Sequence, residues 1–389
     1  MPNYLTSIRR AACAAAIIAV SAAAPSFAQS SETIKGSDGV ALNAQTLAEF
    51  ESPWAMAFLP DGRALVTEKD GVIWLLNSDG SKAGEIANVP EVEARGQGGL
   101  GDIIVHPDFA NNRTVFLSYV ERDAENNKLS GAAVERATLI IGANKGRLSD
   151  REVIWRQYPK VTGNGHYGHR LAIAPANSGM EGKLFITSGE RQKFTPAQNM
   201  DMNLGKMIRI NQDGSIPKDN PFVGQGGVTA EIWSLGHRNP LGIDFDAKGQ
   251  LWSHEMGPRH GDELNKIVRS ENYGYPVVSN GDHYSGKKIP DHDDFPIYEK
   301  PKAFWVPAIS PAGFVIYNGD VFKDWKGDGF IGGLSSQALI RVEFDEDDKA
   351  KEAARYEWGA RVREVETGPD GALYVLEDDG GRLLRLTLK

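Results

Sequence analysis

Along residues 40–388, short hydrophobic runs alternate with turns of the Pro-Asp-Gly kind. The recurring unit is a strand, a turn and a second strand. It reads WAMAFLPDGRALVTEK from Trp54, DIIVHPDFANNRTVFLSYV from Asp102 and RLAIAPANSGMEGKLFITSGE from Arg170. It returns as GIDFDAKGQLWSHEMGP from Gly242, ISPAGFVIYNGD from Ile309 and VETGPDGALYVLEDDGG from Val365. Alternation sends successive side chains to opposite faces of a strand, and Asp, Gly and Pro supply the backbone geometry of a hairpin turn. A third strand is expected after several hairpins, at residues 71–77, 206–211, 338–344 and 382–388. The alternation of RLLRLTL in the last of these predicts a strand near a sheet edge. Helical periodicity is nearly absent.

The turn positions Pro60, Pro107, Pro175, Asp246, Pro311 and Pro369 recur about every 62 residues, somewhat longer than a usual blade repeat. Six similar antiparallel units predict an all-β fold, a six-bladed β-propeller, because radial repetition shields sheet edges. Closure would pair a strand near residues 40–50 with the final unit. A β-sandwich with insertions is the alternative, and regular spacing over so long a chain disfavours it. The spacing is uneven, so the loops are unequal, and long loops collect where function sits. The longest irregular stretch, residues 280–302, is expected to cap one mouth.

Composition matters most at the N-terminus. The 389 residues are 41% hydrophobic and 24% charged, ordinary globular values. Residues 1–28 place Arg9 and Arg10 before an apolar run too short to span a bilayer, and end in Ser26-Phe27-Ala28. That is the pattern of a cleaved secretory signal peptide. Residues 29–36 read as a polar linker, and residues 37–389 as the six-bladed propeller domain. The single cysteine, Cys13, lies in the signal, so the mature chain has no thiol and no disulfide, which suits a bacterial periplasm. The net charge of -9 becomes about two units more negative without the signal. That argues against nucleic acid and against an anionic membrane surface. No later stretch is apolar enough for membrane insertion.

Candidate chemistry gathers in glycine-flanked loops. Residues 234–276 pack His237, Arg238, Asn239, Glu255, Asp262, Glu263 and Asn265 among glycines and prolines. Loop-borne sites need such groups more than buried scaffolds do. GNGHYGHR, residues 163–170, offers His166 as a base near neutral pH, or a turn histidine bonded to backbone. ARGQGGLGD offers Gln97 as a donor and acceptor for a planar ligand, or a plain glycine-rich turn. GHRNP offers Arg238 and Asn239 as an anion fork with an amide, or an arginine tying down loop carbonyls. GPRHGDELN with NYGYP offers Gly257, Pro258, Glu263 and Tyr273 as oxygen ligands for a hard cation, without an EF-hand spacing, or a polar loop with no metal. ARVRE puts Arg361 and Arg363 on one strand face, where like charges repel unless an anion lies between them, or the face is simply solvated.

Taken in order, these motifs with PWAMAFLPDGRALVTEK, PAISPAGFVIYNGD and VREVETGPDGALYVL resemble the soluble aldose sugar dehydrogenases of the glucose/sorbosone dehydrogenase family. The resemblance covers nearly the whole mature chain. It implies a propeller that uses pyrroloquinoline quinone and Ca2+ to oxidise the anomeric hydroxyl of an aldose to a lactone. It implies His166 as the general base, with Gln97, Arg238, Asn239, Arg361 and Arg363 at the cofactor. It implies Gly257 and Pro258 carbonyls on the cofactor's calcium, and Glu263 and Tyr273 at a structural calcium. Three positions depart from the family pattern: Ser335 stands where a lysine is usual, Glu377 where a small hydroxyl residue is usual, and His169 where glycine is usual. Loss of a cation and gain of an anion would weaken quinone binding if both groups face it, with Arg341 or Lys206 as possible compensation. His169 would narrow the sugar pocket or add a ligand.

The partners expected are a small-molecule sugar and a soluble or membrane electron acceptor, with a monomer or homodimer as the assembly. A propeller with no cofactor or an altered one, binding a sugar or another small molecule, is the second reading. A calcium- and histidine-dependent hydrolase is the third.

Overall fold

The computed structural model describes residues 30–389, so the expected signal peptide lies outside the described residues. Apart from one four-residue helix, Phe109–Asn112, and short 3-10 turns, the described elements are strands. Six of them open successive antiparallel groups: Pro53–Phe58, Leu100–Val105, Gly168–Ile173, Pro240–Phe245, Pro311–Ile316 and Val362–Thr367. Each touches the next, and Val362–Thr367 returns against Pro53–Phe58, so they form a closed ring. Three groups are separate four-stranded sheets and one is five-stranded. The two groups that begin at Pro53 and Leu100 share one eight-stranded sheet. They join where Lys82–Ala87 runs parallel to Gly146–Arg156 for two residue pairs. Gly84 permits the approach: an added Cβ there would collide with the Asn144 carbonyl. This is an all-β architecture consistent with a propeller.

Apolar clusters fill the wedges between neighbouring groups, for example Val66 and Leu76 against Leu376 and Leu383. The ring closes as expected: Ala41–Glu49 pairs antiparallel with Arg382–Leu388, from Leu42 opposite Leu388 to Glu49 opposite Arg382. Two expectations need correction here. Arg382–Leu388 is the middle strand of five, not one near an edge, because Ala41–Glu49 covers one side and Leu373–Glu377 the other. Its polar positions persist because Arg382 and Arg385 are paired with Glu377 and Asp370 at 2.6 Å each. The expected linker, residues 29–36, contains a strand, Ser31–Lys35, laid on Ala41–Glu49. It is an outer strand whose buried apolar residue is Ile34, which explains its polar reading.

Residues 280–302 are irregular apart from the short turn His292–Asp294. They pack on the loop after Leu251–Glu255 through Arg259 and Asp282 backbone bonds of 2.7 and 3.2 Å. No helix among the described residues is long and apolar enough to cross a membrane.

Candidate active site

Residues at or just before the starts of the ring strands line a cavity of about 370 Å3. Its walls include Trp54, Gln97, His169, Asn239, Arg361 and Arg363, residues spread over some three hundred positions of sequence. Closing the ring makes them neighbours. Residues 280–302, expected to cap a mouth, contribute nothing to this lining; they cover the adjacent loops instead.

His166 sits at the end of the glycine loop with a left-handed backbone (φ 51°), next to the cavity residues Tyr167 and Gly168. Its N–H donates to Gln97 Oε1 at 2.6 Å. Its Nδ1 lies 2.5 Å from Glu190 Oε1, and the Glu190 side chain is fully buried. Burial holds the His166 pKa below its usual value, opposed by the Glu190 bond and helped by the Arg238 charge. Burial works against ionisation of Glu190 too, but the His166 bond and backbone N–H donors outweigh it, so its pKa is lowered. Both shifts describe one state: a neutral imidazole whose Nδ1–H donates to a carboxylate. The ring's one hydrogen bond among the described residues is at Nδ1, so Nε2 then carries a free lone pair, the arrangement a general base needs.

Glu190 is itself fixed. Phe194 N–H donates to Oε2 at 2.7 Å, and Glu190 N–H donates to the Arg238 carbonyl at 2.8 Å. Gly189 lets the strands pass so closely that an added Cβ would collide with the His166 carbonyl. Arg191, fully buried, donates to the carbonyls of Gly163, Gly165 and Ser130 and covers the Tyr167 ring at 3.8 Å. It locks the loop that presents His166.

The opposite wall is cationic. Arg361 Nε and Arg363 Nε donate to the two oxygens of Asp378 at 2.8 and 2.7 Å. The anion expected between like charges is thus supplied by the protein. Burial raises the Asp378 pKa, but the two guanidinium groups outweigh it and keep it below its usual value. With Lys69, the lining carries three cations against one carboxylate. Glu377 is turned away from the cavity, bonded to Arg382 and to Trp358 Nε1 at 2.8 Å. Ser335 is exposed beside the lining residue Leu334. Neither suggested compensating cation reaches the cavity. Arg341 binds Asp328 at 2.7 Å, and Lys206 is buried against the carbonyls of Pro196, Ala197 and Leu204. Lys69 takes that place. Arg238 Nη1 donates to the Met256 carbonyl at 2.9 Å, while its buried Nε and the buried Oδ1 of Asn239 have no partner among the described residues.

The candidate cation ligands fall into two places. Gly257 and Pro258 follow Met256, a cavity residue, and are buried. Their carbonyls accept no hydrogen bond from the described residues. An added Cβ on Gly257 would collide with the carbonyls of His260 and Gly261, so several oxygens converge there. Asp262 braces this loop, accepting from the N–H groups of Gly257, Ile309 and Ser310 at 2.7–2.8 Å.

Behind it lie Glu255 and Glu263, both buried, with Asn265 Nδ2 3.3 Å from each. Burial, then the Glu255 charge, push the Glu263 carboxyl well above its usual pKa. His292 joins Glu263 to Tyr273: its Nε2 donates to the Tyr273 carbonyl at 3.2 Å, and its unpaired Nδ1 lies 3.9 Å from Glu263 Oε1. A neutral His292 and an ionised Glu263 would set two buried acceptors face to face, which a cation between them relieves. The Tyr273 phenol is committed elsewhere, to the Lys266 carbonyl at 2.5 Å and Val268 N–H at 2.9 Å. Its carbonyl meets His292 Nε2, on the ring nitrogen other than the one that faces Glu263. Among the described residues no three His, Asp or Glu side chains form a metal cluster, so either cation would depend on carbonyl oxygens.

Of the residues singled out from sequence, Gln97, Asn239, Arg361 and Arg363 line the one cavity, while His166 and Arg238 stand next in sequence to the lining residues Tyr167 and Asn239. Sequence reasoning missed Glu190, Lys69, Trp54, Asp378 and His292. The carboxylate closing the TSGE strand and the aspartate after Glu377 were the available signals.

Comparison with known proteins gives the family. Residues 50–385 match the family described as Glucose / Sorbosone dehydrogenase. The chain is 37% identical over 354 residues to aldose sugar dehydrogenase YliI of Escherichia coli K12, covering 89% of this chain and 93% of that one. A crystal structure of the soluble aldose sugar dehydrogenase from Escherichia coli in the apo-form superimposes with a TM-score of 0.83 at 37% identity, over 90% of this chain and 100% of that one. The PQQ-bound form of aldose sugar dehydrogenase from Streptomyces coelicolor does so at 0.73 and 26% identity, over 91% and 99%. The chain belongs to the glucose/sorbosone dehydrogenase family of oxidoreductases.

Proposed function

We propose that the protein is a periplasmic aldose dehydrogenase dependent on pyrroloquinoline quinone and Ca2+, folded as a six-bladed propeller. The closed ring of six strands, each opening an antiparallel group, supports the blade count. One observation carries the function: a cationic cavity lies beside a neutral imidazole whose Nδ1–H is held by a buried carboxylate. A flat polyanion needs the first, and removal of a hydroxyl proton needs the second.

Arg361, Arg363 and Lys69 attract anionic groups, and Gln97 and Asn239 add amide donors and acceptors. The unpaired Arg238 Nε and Asn239 Oδ1 are a donor and an acceptor that a ligand would satisfy. The Gly257 and Pro258 carbonyls would hold a Ca2+ at the cavity edge, and Glu263 with the Tyr273 carbonyl would hold a structural one. When bound, the quinone and its calcium would supply the electron sink for a hydride from the anomeric carbon. His166 takes the anomeric hydroxyl proton at Nε2 as the C–O bond becomes the lactone C=O. Glu190 holds the imidazole in the required tautomer and stabilises the imidazolium that forms. Tyr167, Trp54 and Leu241 wall the cavity against bulk water.

The second reading, a propeller with no cofactor or an altered one, drew on Ser335, Glu377 and His169. With Glu377 spent on Arg382 and Trp358, its electrostatic basis is weakened. Purified protein reconstituted with the quinone and Ca2+ should reduce a redox dye in the presence of aldoses. Absence of turnover across a broad sugar panel would overturn the proposal.

A further inference from the structure

His169 takes no part in the proton-transfer pair or the cationic wall, yet it is among the most constrained residues of the cavity. It is 2% exposed, and its backbone is left-handed (φ 65°), which costs a non-glycine residue on the order of 1 kcal/mol. Its ring stacks on Trp54 with centroids 5.0 Å apart and planes 14° apart, and Tyr167 meets it edge-on at 6.5 Å. Gly101 makes room for it: an added Cβ there would collide with His169 Cε1.

The hydrogen bonds assign its tautomer. Ser118 Oγ accepts the Asp102 N–H at 2.9 Å and lies 2.7 Å from His169 Nδ1. Nδ1 is the partner available to the Ser118 hydroxyl proton, so Ser118 donates and Nδ1 accepts. The proton of the neutral ring is then on Nε2, and the ring's one side-chain hydrogen bond among the described residues is the Ser118 bond at Nδ1. His166 and His169 therefore carry opposite tautomers, one set by a carboxylate and the other by a hydroxyl. Burial pushes the His169 pKa down to about 3, so it stays neutral at working pH.

We propose that His169 is a positioning residue whose Nε2–H donates a hydrogen bond to a carbonyl or carboxylate oxygen of the bound planar cofactor. This rests on the quinone reading above. The donor is fixed rather than mobile, since stacking, the Ser118 bond and Gly101 hold a ring that lines the 370 Å3 cavity. It adds recognition without adding charge, and it cannot act as a second base because its lone pair is occupied.

The test is calorimetric titration of pyrroloquinoline quinone into Ca2+-containing wild type, His169→Phe, His169→Gln, His169→Gly and Ser118→Ala. Long-range 1H–15N NMR of the cofactor-free protein reads the tautomer alongside, and thermal melts check folding. His169→Phe keeps the stack and loses the donor, so it should bind about tenfold more weakly. His169→Gln should recover part of that loss. Ser118→Ala frees Nδ1 to take the proton, so it should mix the tautomers and weaken binding with the cavity lining unchanged. Wild-type NMR should show Nε2–H with no titration between about pH 5 and 8. Equal affinity of wild type and a folded His169→Phe, tighter binding by His169→Gly, or a proton on Nδ1 would each overturn the assignment. If wild type does not bind the quinone, the reading of the whole cavity fails first, and this inference with it.

Discussion

His166 and Glu190 show how one residue's chemistry is decided by its neighbour. Because burial holds the His166 pKa below its ordinary 6.5, the base form persists to lower pH than for a free imidazole. kcat/KM of the reconstituted enzyme should therefore fall on the acid side with a midpoint below 6.5 and stay level above it. Glu190 opposes that depression, so Glu190→Gln should move the midpoint lower still. It should also cost roughly 10²–10⁴-fold in kcat, since the amide no longer enforces the tautomer. An unmoved profile would mean that another group takes the proton. Asp378 makes a parallel point. Arg361 and Arg363 read in sequence as a pair awaiting an anion, and the fold supplies one of its own. Arg363→Met should weaken quinone binding by about 10–100-fold, the cost of losing one charged hydrogen-bonding partner, with a smaller loss in Arg361→Met, whose parent side chain is more exposed. Titration calorimetry checks both.

The strands explain which parts were legible. Hairpins with Pro-Asp-Gly turns announce themselves locally, so the repeating units could be read from alternation and turn residues. Arg382–Leu388 could not be placed correctly, because its second neighbour, Ala41–Glu49, comes from the other end of the chain. The same limit applies to the site. Gln97, His166, Asn239 and Arg363 stand in conspicuous glycine-flanked or charged runs. Glu190, Lys69 and Trp54 acquire meaning only when the ring closes and strand ends from different groups meet. Closure also concentrates stability at the seam. Leu384 is fully buried in the cluster that joins the first and last strands, so Leu384→Ala should cost about 2–5 kcal/mol in urea denaturation. A loss under about 1 kcal/mol would mean that the seam contributes little to the cooperative unit.

At the scale of the molecule, cations would tie the loops behind the cavity to the ring. Glu263, Glu255 and His292 Nδ1, which has no partner among the described residues, are buried together, and the proposed structural cation would ionise Glu263 and relieve that crowding. Ca2+ at about 100 times its dissociation constant should add roughly 2.7 kcal/mol to stability by mass action. Chelation should lower Tm, and Glu263→Gln should blunt that shift. A Tm indifferent to calcium would remove the structural cation while leaving the cavity argument untouched. The ring itself places functional residues at the starts of its six strands, so substrate range can vary through loops without disturbing the core.

A crystal structure of the protein soaked with pyrroloquinoline quinone and Ca2+ tests the central claim most directly. The account predicts the quinone in the 370 Å3 cavity, its acid groups on Arg361 and Arg363, and His166 Nε2 facing the space left for the sugar. A quinone bound elsewhere, or a filled cavity in which His166 has lost Glu190 and points away, would contradict it.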